Sequence, residues 1–240
     1  MKDLLTLILF SIPMLSFAQN LPAPNSMYVA TNCFLHEGYT LRDAVEEARN
    51  SPFDGPLNVA FRQPIATPQA GENEFVRIVA WENLAAWVDA DAASTDINTA
   101  DTYSCNESRR RFFTSRELGE NSGLSFDNGS TLLTVTACTL KHGVSYSDAY
   151  DWLNARTLER EARGDTRVSS MVLGGLGRAD NGGELGRLVG VRSAGRSASE
   201  MAMAMDKIWS EDGQSPDYVM APAESCQNPV LYRTFFVSSN

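Results

Sequence analysis

The chain has 240 residues, 43% of them hydrophobic, and a net charge of −10, which is enough apolar material for two small domains or one larger two-layer domain. The acidic balance excludes nucleic acid and anionic membrane surfaces as partners, because both are bound through positive patches. After the N-terminal leader no stretch approaches the roughly 18 apolar residues of a spanning helix, so membrane insertion is excluded as well.

Residues 1–18 carry Lys2, an apolar run from Leu4 to Leu15 and the small-x-small end Ser16-Phe17-Ala18, the pattern of a secretory signal peptide. No cysteine follows Ala18 directly, which argues against a lipid anchor. The expected location is the periplasm or the medium outside. Leu21 to Ser26 reads as a lead-in, and Met27 to Phe34, rich in β-formers, as a first strand. Thr40-Leu-Arg-Asp43 then places a hydroxyl at an N-cap and an acid three residues on, which satisfies orphan amides at a helix start. Leu41, Ala44, Val45 and Ala48 give that helix one apolar stripe. Strands are expected at Pro56 to Ala66 and Phe75 to Trp81, a helix at Glu82 to Ala93 and a strand at Arg110 to Ser115.

The same succession then begins again. Met27 to Gly38 matches Leu132 to Gly143 at an offset of 105 residues, Phe75 to Trp81 matches Leu185 to Val191 at 110, and Tyr103 to Asn106 matches Glu224 to Gln227 at 121. Ser145-Tyr-Ser-Asp148 repeats the helix start, with a helix running to about Gly164. Strands are expected at Val168 to Leu176 and Leu185 to Val191, linked by the turn Asp180-Asn-Gly-Gly183. A helix at Ser197 to Ser210 and a strand at Leu231 to Val237 complete the copy. Each copy reads β-α-β-β-α-β, the split βαβ pattern of a ferredoxin-like unit. The expected division is therefore a leader over 1–18, one repeat over 19–120 and a second over 121–240.

Four cysteines allow three connectivities. The repeat and the topology both favour one bond within each copy, Cys33 to Cys105 and Cys138 to Cys226, because the first strand of such a unit ends beside the start of its fourth. A metal site has little to stand on, since there is no CxxC and only two histidines are present.

The element order, the duplicated Cys-x-x-x-x-Gly-x-[Ser/Thr]-x-x-Asp-Ala stretch (from Cys33 and from Cys138) and an arginine in each third strand resemble a fused version of the dimeric α+β barrel superfamily. The resemblance implies two ferredoxin-like units stacked sheet on sheet with helices outside, a monomer that is sufficient by itself, and a ligand position between sheet and helices or between the sheets. That superfamily includes cofactor-independent monooxygenases, haem-binding enzymes and proteins with no known reaction. The same stretch is similar to one in exported proteins of marine bacteria, which implies no activity.

Five residues are candidates for ligand contact. His36 and His142 are the only histidines and fall in corresponding loops, one place out of register; a metal, a haem iron or acid–base chemistry would use them, while surface loop residues are the plainer reading. Arg77 and Arg187 alternate with apolar neighbours and could hold a carboxylate or phosphate, or could pair with internal acids. Trp81 is a core aromatic that could line a cavity. Gly174 to Gly183 lacks the third glycine and the helix of a phosphate loop. Ser193, Ser197 and Ser199 lack a nucleophile elbow. Met201, Met203 and Met205 fit core filling better than copper binding. Arg109-Arg-Arg111 reads as a solvated face beside Glu107 and Glu117.

With no nucleophile or acid–base set in view, the sequence favours a non-catalytic role in binding a small molecule or a protein, without a cofactor. The alternative is a cofactor-independent oxygenase or a haem-dependent enzyme.

Overall fold

The computed structural model describes residues 20–50, 55–66, 71, 73–93, 100–122, 129–176, 185–212 and 221–239. The leader over 1–18 and the turn over 180–183 lie outside them. In chain order the elements are β1 (Ser26–Leu35), α1 (Leu41–Asn50), β2 (Asn58–Ala66), β3 (Glu74–Trp81), α2 (Leu84–Ala93), β4 (Tyr103–Cys105), β5 (Arg111–Leu118), β6 (Ser130–Leu140), α3 (Tyr146–Ala162), β7 (Val168–Gly174), β8 (Leu188–Ala194), α4 (Ala198–Asp212), β9 (Ala223–Cys226) and β10 (Val230–Ser239).

Eight of these strands close on themselves in the order β10-β2-β3-β1-β5-β7-β8-β6, with β6 returning to β10. Every pairing is antiparallel. The expected stack of one sheet on another is thus replaced by an edge-to-edge joint: β5 pairs with β7 over Phe113 to Leu118, and β10 with β2 over Leu231 to Ser239. Open sheets would leave rows of unpaired amides at those edges, and closure satisfies them. The result is one closed barrel wall, so each strand has a lumen face and an outer face.

The cores lie outside this wall. In one, Leu41, Ala44, Val45 and Ala48 of α1 bury against Met27, Val29, Phe61, Phe75, Val79 and Trp81, as the stripe on that helix predicts. In the other, Ala149 and Leu153 of α3 pack on Leu118, Leu140, Met171 and Val189. α2 adds Trp87, which meets Phe112 edge-on at 4.9 Å between ring centroids.

Both predicted helix starts form. The Thr40 amide and hydroxyl each donate to Asp43 at 2.7 Å, and Ser145 and Asp148 make a full capping box. These contacts hold the Asp43 and Asp148 carboxyls below the usual carboxylate range. α3 ends at Gly164, whose φ of 87° needs a residue without a Cβ.

β4 and β9 are too short to show a sequence pattern, yet each ends in a cysteine directly opposite the cysteine of a neighbouring long strand: Cys33 faces Cys105 on β1–β4 and Cys138 faces Cys226 on β6–β9. Both expected disulfides form. The third strand of the first half forms as expected, as β3; that of the second half starts later than expected, at Leu188, with Leu185 to Arg187 in a single 3-10 turn ahead of it. Cys33 lies opposite Phe75 and Cys138 opposite Val189, so the position answering Arg77 is Val191, not Arg187.

Candidate functional site in the barrel lumen

Alternation along the strands decides which side chains point inward. On β1, Met27, Val29 and Cys33 enter the outer core, which turns Tyr28 and Ala30 to the lumen. The same parity turns Arg62 on β2, Val76 and Ile78 on β3, Arg111 and Phe113 on β5, Val135 and Ala137 on β6, Val172 and Gly174 on β7, Gly190 and Arg192 on β8 and Tyr232 on β10 inward. Small residues at Ala30, Ala137, Gly174 and Gly190 leave the space that larger ones would fill. Together these residues line a partly open cavity of about 340 Å³, within the size range of small-molecule sites, with apolar walls and a few convergent polar groups.

Those polar groups are three arginines and two tyrosines, with no carboxylate among the lining residues. Burial by itself would raise the Tyr28 phenol. The Arg192 charge, and hydrogen bonds to the phenol oxygen from Ser26, Ser115 and Arg192, outweigh it and bring the group from 10 down to about 8. The Arg192 guanidinium lies over the Tyr28 ring, 4.9 Å from its centroid. Desolvation and the like charge of Arg192 bring Arg62 down to about 10, against the opposing pull of Tyr28 and Tyr232. Burial pushes Tyr232 up, opposed by Arg62 and Arg111, and Arg111 down, opposed by Tyr232. Arg111 Nη2 is aimed by Asn32 Oδ1 at 2.6 Å. The five groups thus form one electrostatic chain, Tyr28–Arg192–Arg62–Tyr232–Arg111.

Among the described residues no carboxylate pairs with Arg62, Arg111 or Arg192. Arg62 Nε is buried without a hydrogen-bond partner, as are Ser170 Oγ and Thr234 Oγ1. Thr234 lies directly across from Arg62, and Ser170 directly across from Arg192, so each unsatisfied hydroxyl shares a face with an arginine. The three guanidiniums are only partly exposed, and partly desolvated cations without anions carry a cost. The cavity thus presents three cationic groups to its interior with no carboxylate among its lining residues.

The five residues singled out from the sequence lie elsewhere. His36 is exposed, its Nδ1 2.8 Å from the Asp101 carbonyl oxygen. His142 is exposed and meets Arg187 Nη1 at 3.1 Å. Arg187 also donates to the Leu140 carbonyl at 2.8 Å and pairs with Glu224. Arg77 sits on the outer face and pairs with Glu107 at 2.6 Å. Trp81 is 8% exposed in the outer core, with its indole N–H unpartnered. The structure brings His142 and Arg187 together and keeps the other three apart, and none of the five lines the lumen. The basic run at Arg109 to Arg111 is not one solvated face either: Arg111 turns inward, while Arg110 pairs with Glu107 at 2.7 Å.

Haem was the cofactor raised by the sequence, and the residues present do not fit it. A haem iron needs an axial His, Cys, Met or Tyr. Both histidines are exposed, all four cysteines are in disulfides, and the lumen offers only two tyrosines, one of them covered by a guanidinium. Among the described residues, α1 and α3 pack directly on the outer face of the wall.

No family model matches the chain, and no curated protein does. Solved structures do. An anthrone oxidase-like protein superposes with a TM-score of 0.51 at 12% identity, over 90% of this chain and 94% of that one. A mutant chlorite dismutase from Candidatus Nitrospira defluvii gives a TM-score of 0.50 at 7% identity, over 89% and 92%. The expectation of a non-catalytic binding role is corrected by these matches, which pair the fold with an oxidase-like protein and a dismutase. At such identities the likeness is one of architecture: the chain has the dimeric α+β barrel fold, with an eight-stranded closed barrel and four helices among the described residues.

Proposed function

We propose that the protein is an enzyme of the cofactor-independent oxygenase type, acting on an acidic, enolisable or phenolic substrate held in the barrel lumen. The observation that carries this reading is Tyr28: a phenol at about 8, facing an apolar cavity, under a guanidinium that has no carboxylate of its own. Oxygenation without a cofactor needs a substrate that is easily oxidised, and deprotonation makes it so. The Tyr28 phenolate takes a proton from a carbon or oxygen acid, and Arg192 stabilises the resulting enolate or phenolate. The anion passes one electron to dioxygen. Recombination of the pair gives a peroxide anion, which takes back the proton held by Tyr28 to become a hydroperoxide, and loss of water leaves a carbonyl, so that a CH₂ group and O₂ become C=O and H₂O. The apolar wall keeps bulk water from the anion and strengthens each charge interaction.

On this reading the chain is two fused ferredoxin-like units that supply each other's edge partners, and a monomer is sufficient. The arrangement of β1, β3 and β5 in the first half and of β6, β8 and β10 in the second supports it. Export through the leader at 1–18 is supported by two disulfides, which belong to an oxidising compartment. No described helix is long and apolar enough to cross a membrane.

The test is oxygen uptake with anthrone as probe, chosen from the oxidase-like neighbour. Turnover that falls by about a hundredfold or more in Tyr28→Phe, within the range of lost general-base catalysis, supports the reading. An unchanged rate in that variant, or no uptake with anthrone and related hydroxyaromatics, removes it.

A further inference from the structure

The lumen has two cationic positions, and one tyrosine base accounts for only one of them. Arg192, with the buried hydroxyl of Ser170 across from it, serves the Tyr28 end. Arg62 and Arg111 both act on Tyr232, the Thr234 hydroxyl lies across from Arg62, and Arg111 is aimed by Asn32. A phenolate or enolate formed at Tyr28 exists only after deprotonation. It leaves Arg62 and Arg111 without a counter-charge in the resting complex. Arg62 is also repelled by Arg192, so a resident anion held by Arg62 would relieve a standing penalty.

We infer that Arg62, Arg111, Thr234 and Tyr232 form a carboxylate subsite, and that the substrate is a hydroxyaromatic or enolisable acid carrying a permanent carboxylate in addition to its reacting group. This rests on the lumen being the substrate site. A planar carboxylate matches guanidinium donors two at a time, and the flanking hydroxyls of Thr234 and Tyr232 supply further donors. The apolar side chains Val76, Ile78 and Phe113 cover the ring system between the two ends.

The experiment is calorimetric titration of the full mature protein with naphthoate and with naphthol, for the wild type and for Arg62→Met, Arg111→Met and His36→Ala. A hydrogen bond to a charged group is worth about 1.5–3 kcal/mol, or roughly ten- to hundredfold in affinity. Naphthoate is expected to bind the wild type tighter than naphthol by that factor. Arg62→Met and Arg111→Met each remove most of the advantage, and His36→Ala, at an exposed loop away from the lumen, leaves it in place. Melting curves taken alongside show that each variant is folded. Equal affinity for the two probes, or naphthoate binding that survives both arginine substitutions, overturns the subsite. The two proposals fail separately. Naphthoate selectivity without turnover of any hydroxyaromatic leaves the subsite and removes the oxygenase; turnover of neutral and acidic substrates alike, with equal binding, does the reverse.

Discussion

Replacing Arg62 by methionine should make the protein more stable. Arginine ordinarily titrates above about 12, and in the lumen Arg62 is brought down to about 10 by desolvation and by Arg192. At about 1.4 kcal/mol per pK unit, the charged form is disfavoured in the fold by on the order of 3 kcal/mol. Methionine fills much of the same volume along an apolar wall and removes the charge. Substitutions of this kind stabilise by roughly 1–4 kcal/mol when the charge was poorly compensated, and partial hydration of the cavity argues for the lower half of that range. For a chain of this size each kcal/mol moves the melting temperature by about 2–4 °C, so differential scanning calorimetry at neutral pH should show a rise of several degrees. The sign with pH is also determined. Because the folded value lies below the unfolded one, the penalty is full below about 10 and falls progressively as the pH rises from there toward the unfolded value, so the variant's advantage should shrink in strong alkali. A variant that melts lower than the wild type at neutral pH would mean that Arg62 is paid back by contacts within the fold, and the case for a ligand-directed charge would be lost.

Other outcomes follow from the same geometry. The rate, expressed as kcat/KM, should rise with pH through an apparent value near 8, the Tyr28 phenol, and this limb should be absent in Tyr28→Phe. Since that phenol lies below its unfolded value of 10, wild type should also gain stability on the phenylalanine variant between about 8 and 10; chemical denaturation at stepped pH reads it directly. Ala137→Phe should fill the lumen from one wall and abolish probe binding in the titration, with circular dichroism unchanged. Opening either disulfide, which close separations of 72 and 88 residues, should cost roughly 4–5 kcal/mol each by the loop-entropy argument, seen as a lower urea midpoint in Cys33→Ser/Cys105→Ser. Ser145→Ala should cost about 1 kcal/mol through its lost N-cap bond to the Asp148 amide, 3.1 Å in the capping box.

Much of the architecture can be read from local pattern. The stripe on α1, the hydroxyl-and-acid helix starts and the cysteine placement each leave a short-range signature, and each appears where expected. Closure of the barrel has no such signature, because the β5–β7 and β2–β10 joints bring together edges that no short motif marks. The site was hidden by the same fact. In a half-covered sheet, the face of β1 that carries Tyr28 and the face of β2 that carries Arg62 look like solvent faces, where a tyrosine or an arginine is unremarked. Only when the wall closes do those faces become an interior. Arg111 shows the point most sharply, since its place in a run of three arginines beside two glutamates fits a surface in every local respect. A usable signal does exist in retrospect: Arg62, Arg111 and Arg192 each stand on the strand face opposite the buried stripe, without an acid at the paired positions. Arg77 and Arg187 drew attention instead because they alternate with apolar residues, the mark of a side chain inside the outer core, where Arg77 found an acid.

The most direct test of the account is a crystal structure of the protein with a bound hydroxynaphthoate. The account predicts density inside the barrel, with the carboxylate on Arg62 and Arg111 and the ring hydroxyl toward Tyr28 and Arg192. Density between the barrel wall and the helices, or a lumen from which the probe is absent while it binds in solution, would contradict it.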